Sequence, residues 1–118
     1  MRHFGKAFAA AVAAVAVAGS ASAATNLITN GNFQGPTSNG SFVTVGVSTG
    51  VIPGWDVLEG NVDWIQGYWA GSDGDGFSID LNGTTQGKIG QSITTVIGKL
   101  YTITFDMNAN PDFGTGTR

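Results

Sequence analysis

The sequence predicts an all-β protein, an antiparallel sandwich or barrel. Three observations carry that expectation. Short runs of alternating apolar and polar residues recur every eight to twelve residues, separated by Gly, Asn or Pro. Nineteen glycines in 118 residues suit a fold rich in turns and bulges. Beyond the N-terminal segment, no window carries the apolar period of a helix.

The N-terminal segment reads as an address. Met1 to Lys6 is a short basic stretch, Ala7 to Ala18 is a continuous apolar run, and Ala21-Ser22-Ala23 is a small-residue cleavage pattern. The twelve-residue run would span about 18 Å as a helix, against about 30 Å of hydrocarbon in a bilayer. Residues 1–23 are therefore expected to be a signal peptide, and 24–118 a single exported module with no membrane-spanning segment. Secretion or display at the cell surface follows.

The strands are expected in order. Asn30-Gly31 and the loop Gln34 to Gly40 precede a strand over Ser41 to Val47, where Val43, Val45 and Val47 alternate with Thr44 and Gly46. Pro53-Gly54 forces a turn. Asp56 to Leu58 and Val62 to Gln66 read as two short strands, split by a turn at Glu59-Gly60-Asn61. In the second, Val62 and Trp64 share one face, while Asp63 and Ile65 share the other. Tyr68 to Gly76 is a loop dense in Gly and Asp. Phe77 to Leu81 alternates cleanly, Lys88 to Ile97 is β-rich, and Leu100 to Met107 alternates most regularly of all. The loop-like stretch from Asn108 to Arg118 then suggests a domain incomplete at its C-terminus.

Composition excludes several functions. From Ala24 onward the bases are Lys88, Lys99 and Arg118, against eight acids, a net charge of −5. No basic stripe is present to displace counterions from phosphates, so nucleic acid is not an expected partner. The chain has no Cys, and its one His is His3. A Ser–His–Asp triad, a Cys–His pair and a His/Cys zinc site are all out of reach for the exported module.

The motifs, taken together, resemble the bacterial choice-of-anchor C family. Its features are matched in order by Asn26-Leu27, Asn30-Gly31-Asn32-Phe33, Ile52-Pro53-Gly54-Trp55, Gly60-Asn61-Val62-Asp63-Trp64-Ile65 and Tyr68-Trp69. Asp75-Gly76, Ser78 to Gly83, Gly87 to Gln91, Tyr101 to Asp106 and Asn110-Pro111-Asp112 continue the series. That family is similar to plant cell-wall proteins whose name records only an unknown function. The resemblance implies a galactose-binding-like jelly-roll β-sandwich, exported and held at the surface, of a carbohydrate-binding architecture. In similar sandwiches an acid near position 34 and a late Asp hold a structural calcium. Gln34 departs from that pattern, so no cofactor or metal is expected in this chain, and calcium only in a longer form with further strands.

The stretch Gly54–Gly83 concentrates the candidate ligand residues: all three tryptophans, Tyr68 and six of the eight carboxylates. Aromatic rings stack on the C–H faces of sugars, and neighbouring Asp side chains orient hydroxyls. Trp55, Trp64, Tyr68, Trp69, Asp73 and Asp75 are the candidates. Trp55, after a Pro-Gly corner, and Trp64, in parity with Val62, also suit a core. Tyr68, Trp69, Asp73 and Asp75 lie in the loop and suit a contact surface. Ser72 to Gly76 resembles a cation loop, but Phe77 stands where an EF-hand needs a third ligand, so a solvated turn is expected. Asp63, Asp73, Asp75 and Asp80 are the acids available for glycosidase chemistry, with no spacing that separates an acid from a nucleophile. The expected function is non-catalytic binding of extracellular polysaccharide or a matrix component. A purely structural or adhesive module is the alternative, and a carboxylate hydrolase a more distant one.

Overall fold

The computed structural model describes residues 23–36 and 38–113; the expected leader lies outside them but for Ala23. The protein is all-β. Strands β1 (Ser41–Ile52), β2 (Trp55–Gln66), β3 (Phe77–Asp80) and β4 (Lys88–Gly90) form one antiparallel sheet, and a 3-10 turn follows at Pro111–Phe113. None of the described residues forms a helix long and apolar enough to cross a membrane.

β2 organises the sheet. β1 lies along one side of it from Ser41↔Gln66 to Ile52↔Trp55, closed by the Pro53-Gly54 turn in which Gly54 takes a φ of 83°. β3 and β4 share the other side end to end: β3 faces residues 63–66, and β4 faces 56–59.

The strand boundaries differ from expectation in a consistent way. β1 continues through Ser48-Thr49-Gly50, and β2 continues through Glu59-Gly60-Asn61. The Gly-Asn step is a bulge and not a turn: between Val57 and Asn61, β2 places Leu58, Glu59 and Gly60 opposite only Val47 of β1. Gly60 has a φ of 58°, and a Cβ there would collide with the Gln86 carbonyl oxygen. Backbone approach and left-handed geometry both require glycine at that point.

The expected strand over Leu100 to Met107 does not form, and β4 ends at Gly90, well short of Ile97. Alternation favours an extended chain, but a ladder needs a hydrogen-bonded neighbour, and this segment has none among the described residues. Ile103, Phe105 and Met107 stay 81%, 75% and 86% exposed. Leu81, just past the end of β3, is exposed as well.

One face of the sheet carries the core. Val45, Ile52, Val57, Val62 and Trp64 are buried there, with Phe33, Trp55, Phe77, Ile79 and Ile89 packed against them. The loop before β1 caps this face through two indole hydrogen bonds: Trp55 Nε1 donates to the Asn30 carbonyl at 2.9 Å and Trp64 Nε1 to the Phe33 carbonyl at 2.8 Å. Side-chain bonds from Asn30 Nδ2 to the Pro53 and Gln34 carbonyls fix the same loop. The opposite face, where Ile65 is buried apart from the core, holds the candidate site.

Candidate functional site

A cleft of about 190 Å³ opens on the face opposite the core. Pleating places its floor. Phe42 of β1 pairs with Ile65 of β2, and Asp63 of β2 pairs with Asp80 of β3, so these side chains share a face that Trp64 and Val62 do not. Tyr68 and Trp69, just beyond β2, form the aromatic wall. Tyr68 sits edge-on to Phe42 with ring centroids 5.3 Å apart, and the Tyr68–Trp69 centroids are 5.5 Å apart. Asn82 and Gly83 line the cleft after β3, and Asn110 and Asp112 line it from the C-terminal side.

Asp63 and Asp80 are direct cross-strand neighbours. Like charges so placed repel. Each is met by neutral donors: Thr44 Oγ1 donates to Asp63 at 2.5 Å, Asn110 Nδ2 to Asp80 at 2.8 Å, and the Asn82 backbone N–H to Asp80 at 2.9 Å. Hydrogen bonding toward the Asp112 carboxylate, then the Asp112 charge, then burial hold the Tyr68 phenol above its ordinary pKa. Trp69 Nε1 is shielded from solvent and has no hydrogen-bond partner among the described residues.

The six candidate residues divide into three groups. Tyr68 and Trp69 come together at the cleft. Trp55 and Trp64 lie on the other face in and against the core, their indole N–H groups committed to backbone carbonyls. Asp73 and Asp75 do not line the cleft; they order their own loop. Asp73 Oδ1 accepts from the Asp75 N–H, and Asp75 Oδ1 accepts from the Phe77 N–H at 2.8 Å. Gln34 Nε2 donates to Asp75 Oδ2 at 3.1 Å. The Phe77 N–H bond is the main cause of a lowered Asp75 pKa; burial opposes it, and Gln34 and Asp73 add to it. Among the described residues no group of three or more acids, His or Cys is placed to hold a metal ion.

Phe42, Asn82, Asn110 and Asp112 were not among the sequence candidates. They come from segments far apart in the chain: the register of β1 and β3 on β2 brings in Phe42 and Asn82, and the Asn110–Asp80 hydrogen bond brings in the C-terminal pair. The parity of Asp63 with Ile65 was the one available signal that a polar group sits on the far face.

A family profile described as a protein of unknown function (DUF642) matches residues 26–115. The chain belongs to the DUF642 family. It is also 37% identical over 100 residues to halomucin of Haloquadratum walsbyi, an alignment covering 80% of this chain. The chain spans 1% of that relative's length. No solved structure matches the chain significantly.

Proposed function

We propose that this member of the DUF642 family is an exported, non-catalytic surface module that binds extracellular polysaccharide at the cleft of Phe42, Tyr68 and Trp69. The observation that carries the reading is the aromatic wall set beside carboxylate and amide groups on one concave surface. Rings give a sugar its apolar contact, and Asp63, Asp80, Asn82 and Asn110 supply acceptors and donors for its hydroxyls. The leader-like N-terminus and the similarity to halomucin support export and a surface setting. The ordered motifs from Asn26 to Asp112 support a choice-of-anchor C type within the family, and a galactose-binding-like sandwich as its architecture. Absence of Cys, and of His outside the leader, supports binding over catalysis.

The test is affinity electrophoresis through soluble glycans with the wild type, Tyr68→Ala and Trp69→Ala. Each ring contributes about 0.5–1.5 kcal/mol, so each variant should weaken binding roughly 2- to 12-fold. Unchanged migration in both variants, with circular dichroism showing them folded, would leave a purely structural module.

A further inference from the structure

We infer that the cleft selects a protonated amine, so that its glycan is an amino sugar carrying a free ammonium group. This rests on the glycan reading above and names the chemical class of its ligand. Two carboxylates, Asp63 and Asp80, are set directly opposite each other across β2 and β3. A third, Asp112, stands at the rim beside Tyr68. Like charges opposite each other in a sheet oppose folding. The hydrogen-bond partners of Asp63 and Asp80 inside the protein, Thr44, Asn110 and Asn82, are all neutral donors. Among the described residues no Lys or Arg lines the cleft, and the ion pair Lys88–Glu59 belongs to the other end of β2. Among the described residues, no cation compensates the negative charge gathered here.

The aromatic wall points to the same ligand independently. A cation over the face of Tyr or Trp is attracted by the ring's quadrupole, more so where water is partly excluded. Ammonium, apolar ring face and hydroxyl oxygen are found together on an amino sugar. A bare divalent cation fits less well. It needs about six to eight oxygens at 2.3–2.6 Å, and the described acids form no group of three that could hold one. A uronic acid would place a fourth negative charge among the three. The volume, about 190 Å³, lies below the roughly 300–1,000 Å³ of sites for drug-sized ligands, which suits one ring of a longer chain.

The experiment is calorimetric titration of the purified chain with short glucosamine oligomers, their N-acetylated counterparts, glucose oligomers, galacturonate oligomers and calcium chloride alone. The expected result is at least tenfold tighter binding of glucosamine oligomers than of the acetylated or neutral ones, and no binding of galacturonate. Asp63→Asn and Asp112→Asn should each reduce that preference, while Asp106→Asn, outside the cleft, should leave it intact. Equal affinity for amine, acetylated and neutral oligomers would overturn amine selection and leave glycan binding standing. Absence of binding by every oligomer would overturn both. Loss of binding in Asp106→Asn equal to that in Asp63→Asn would reduce the effect to adsorption of a polycation on an acidic protein. Calcium that binds and competes with glucosamine would reassign the acids to a metal.

Discussion

Trp64 Nε1 donates to the carbonyl of Phe33 at 2.8 Å, joining the C-terminal part of β2 to a loop thirty-one residues earlier. Trp64 is 6% exposed, and Gly35 passes so close that a Cβ there would lie 2.6 Å from the indole Cζ2. This side chain is a strut for the loop that caps the core.

Two substitutions separate its two roles. Trp64→Ala should cost about 3–5 kcal/mol, through lost burial and a cavity. Trp64→Phe keeps a ring but leaves the Phe33 carbonyl unmet, at about 1–3 kcal/mol. Urea midpoints measure both costs, and limited proteolysis of the 30–36 loop should rise in Trp64→Phe before global unfolding begins.

Gly60 and Gly46 form a contrasting pair. Gly60→Ala must hold an L-residue at a φ of 58° and push into the Gln86 carbonyl, so a loss of more than about 1 kcal/mol is expected. Gly46 has no positive φ and open space where a Cβ would go. Gly46→Ala should therefore be neutral, or stabilising by up to about 1 kcal/mol. Thermal melts of the two variants should move apart; equal shifts would contradict the bulge.

Asp63→Asn should make the unliganded protein more stable. The amide keeps an acceptor for Thr44 and removes the repulsion across to Asp80. Removing a like-charge cross-strand pair is worth roughly 0.2–1 kcal/mol, a rise of up to several degrees in Tm for a domain of this size. A variant that gains stability while losing ligand would show that the pair is kept for binding. Lower stability in low-salt buffer would refute the repulsion.

Asp75 ties stability to pH through its loop. Its folded pKa is lowered, chiefly by the Phe77 N–H. The ionised form is thus favoured in the folded state. Its contribution is complete above the unfolded carboxylate value of about 3.9 and fades as pH falls through the lower folded value. Asp75→Asn cannot titrate. The drop in urea midpoint between about pH 6 and about pH 2 should therefore be smaller in the variant than in the wild type.

Local signals read well where one strand or turn decides the outcome. The alternation of Phe77 and Ile79 with Ser78 and Asp80, and the corner at Pro53-Gly54, are seen in the structure as the sequence suggests. Glu59-Gly60-Asn61 reads as a turn in the sequence and is a bulge in the structure, because a glycine with positive φ serves either equally. Only the pairing of β1 against β2 decides between them. Leu100 to Met107 shows the reverse difficulty: side-chain alternation specifies an extended chain but says nothing of a partner. The cleft was half legible. Tyr68 and Trp69 stand out by residue type, whereas Asp80 and Phe42 reach it through register, which no single segment encodes.

The position of β2 between β1 and the shared edge of β3 and β4 also orders the folding reaction. The β1–β2 hairpin closes through a two-residue turn, and such hairpins form in about 1–10 μs. β3 and β4 join the other edge of β2 through longer connections than the two-residue turn, at a larger loop-closure cost. Val62→Ala, within the hairpin's buried face, should therefore slow folding. Ile79→Ala and Ile89→Ala should mainly speed unfolding, leaving the refolding arm of a stopped-flow chevron almost unmoved. Lifetime against unfolding is then set by the two short strands, and speed of assembly by the long ones.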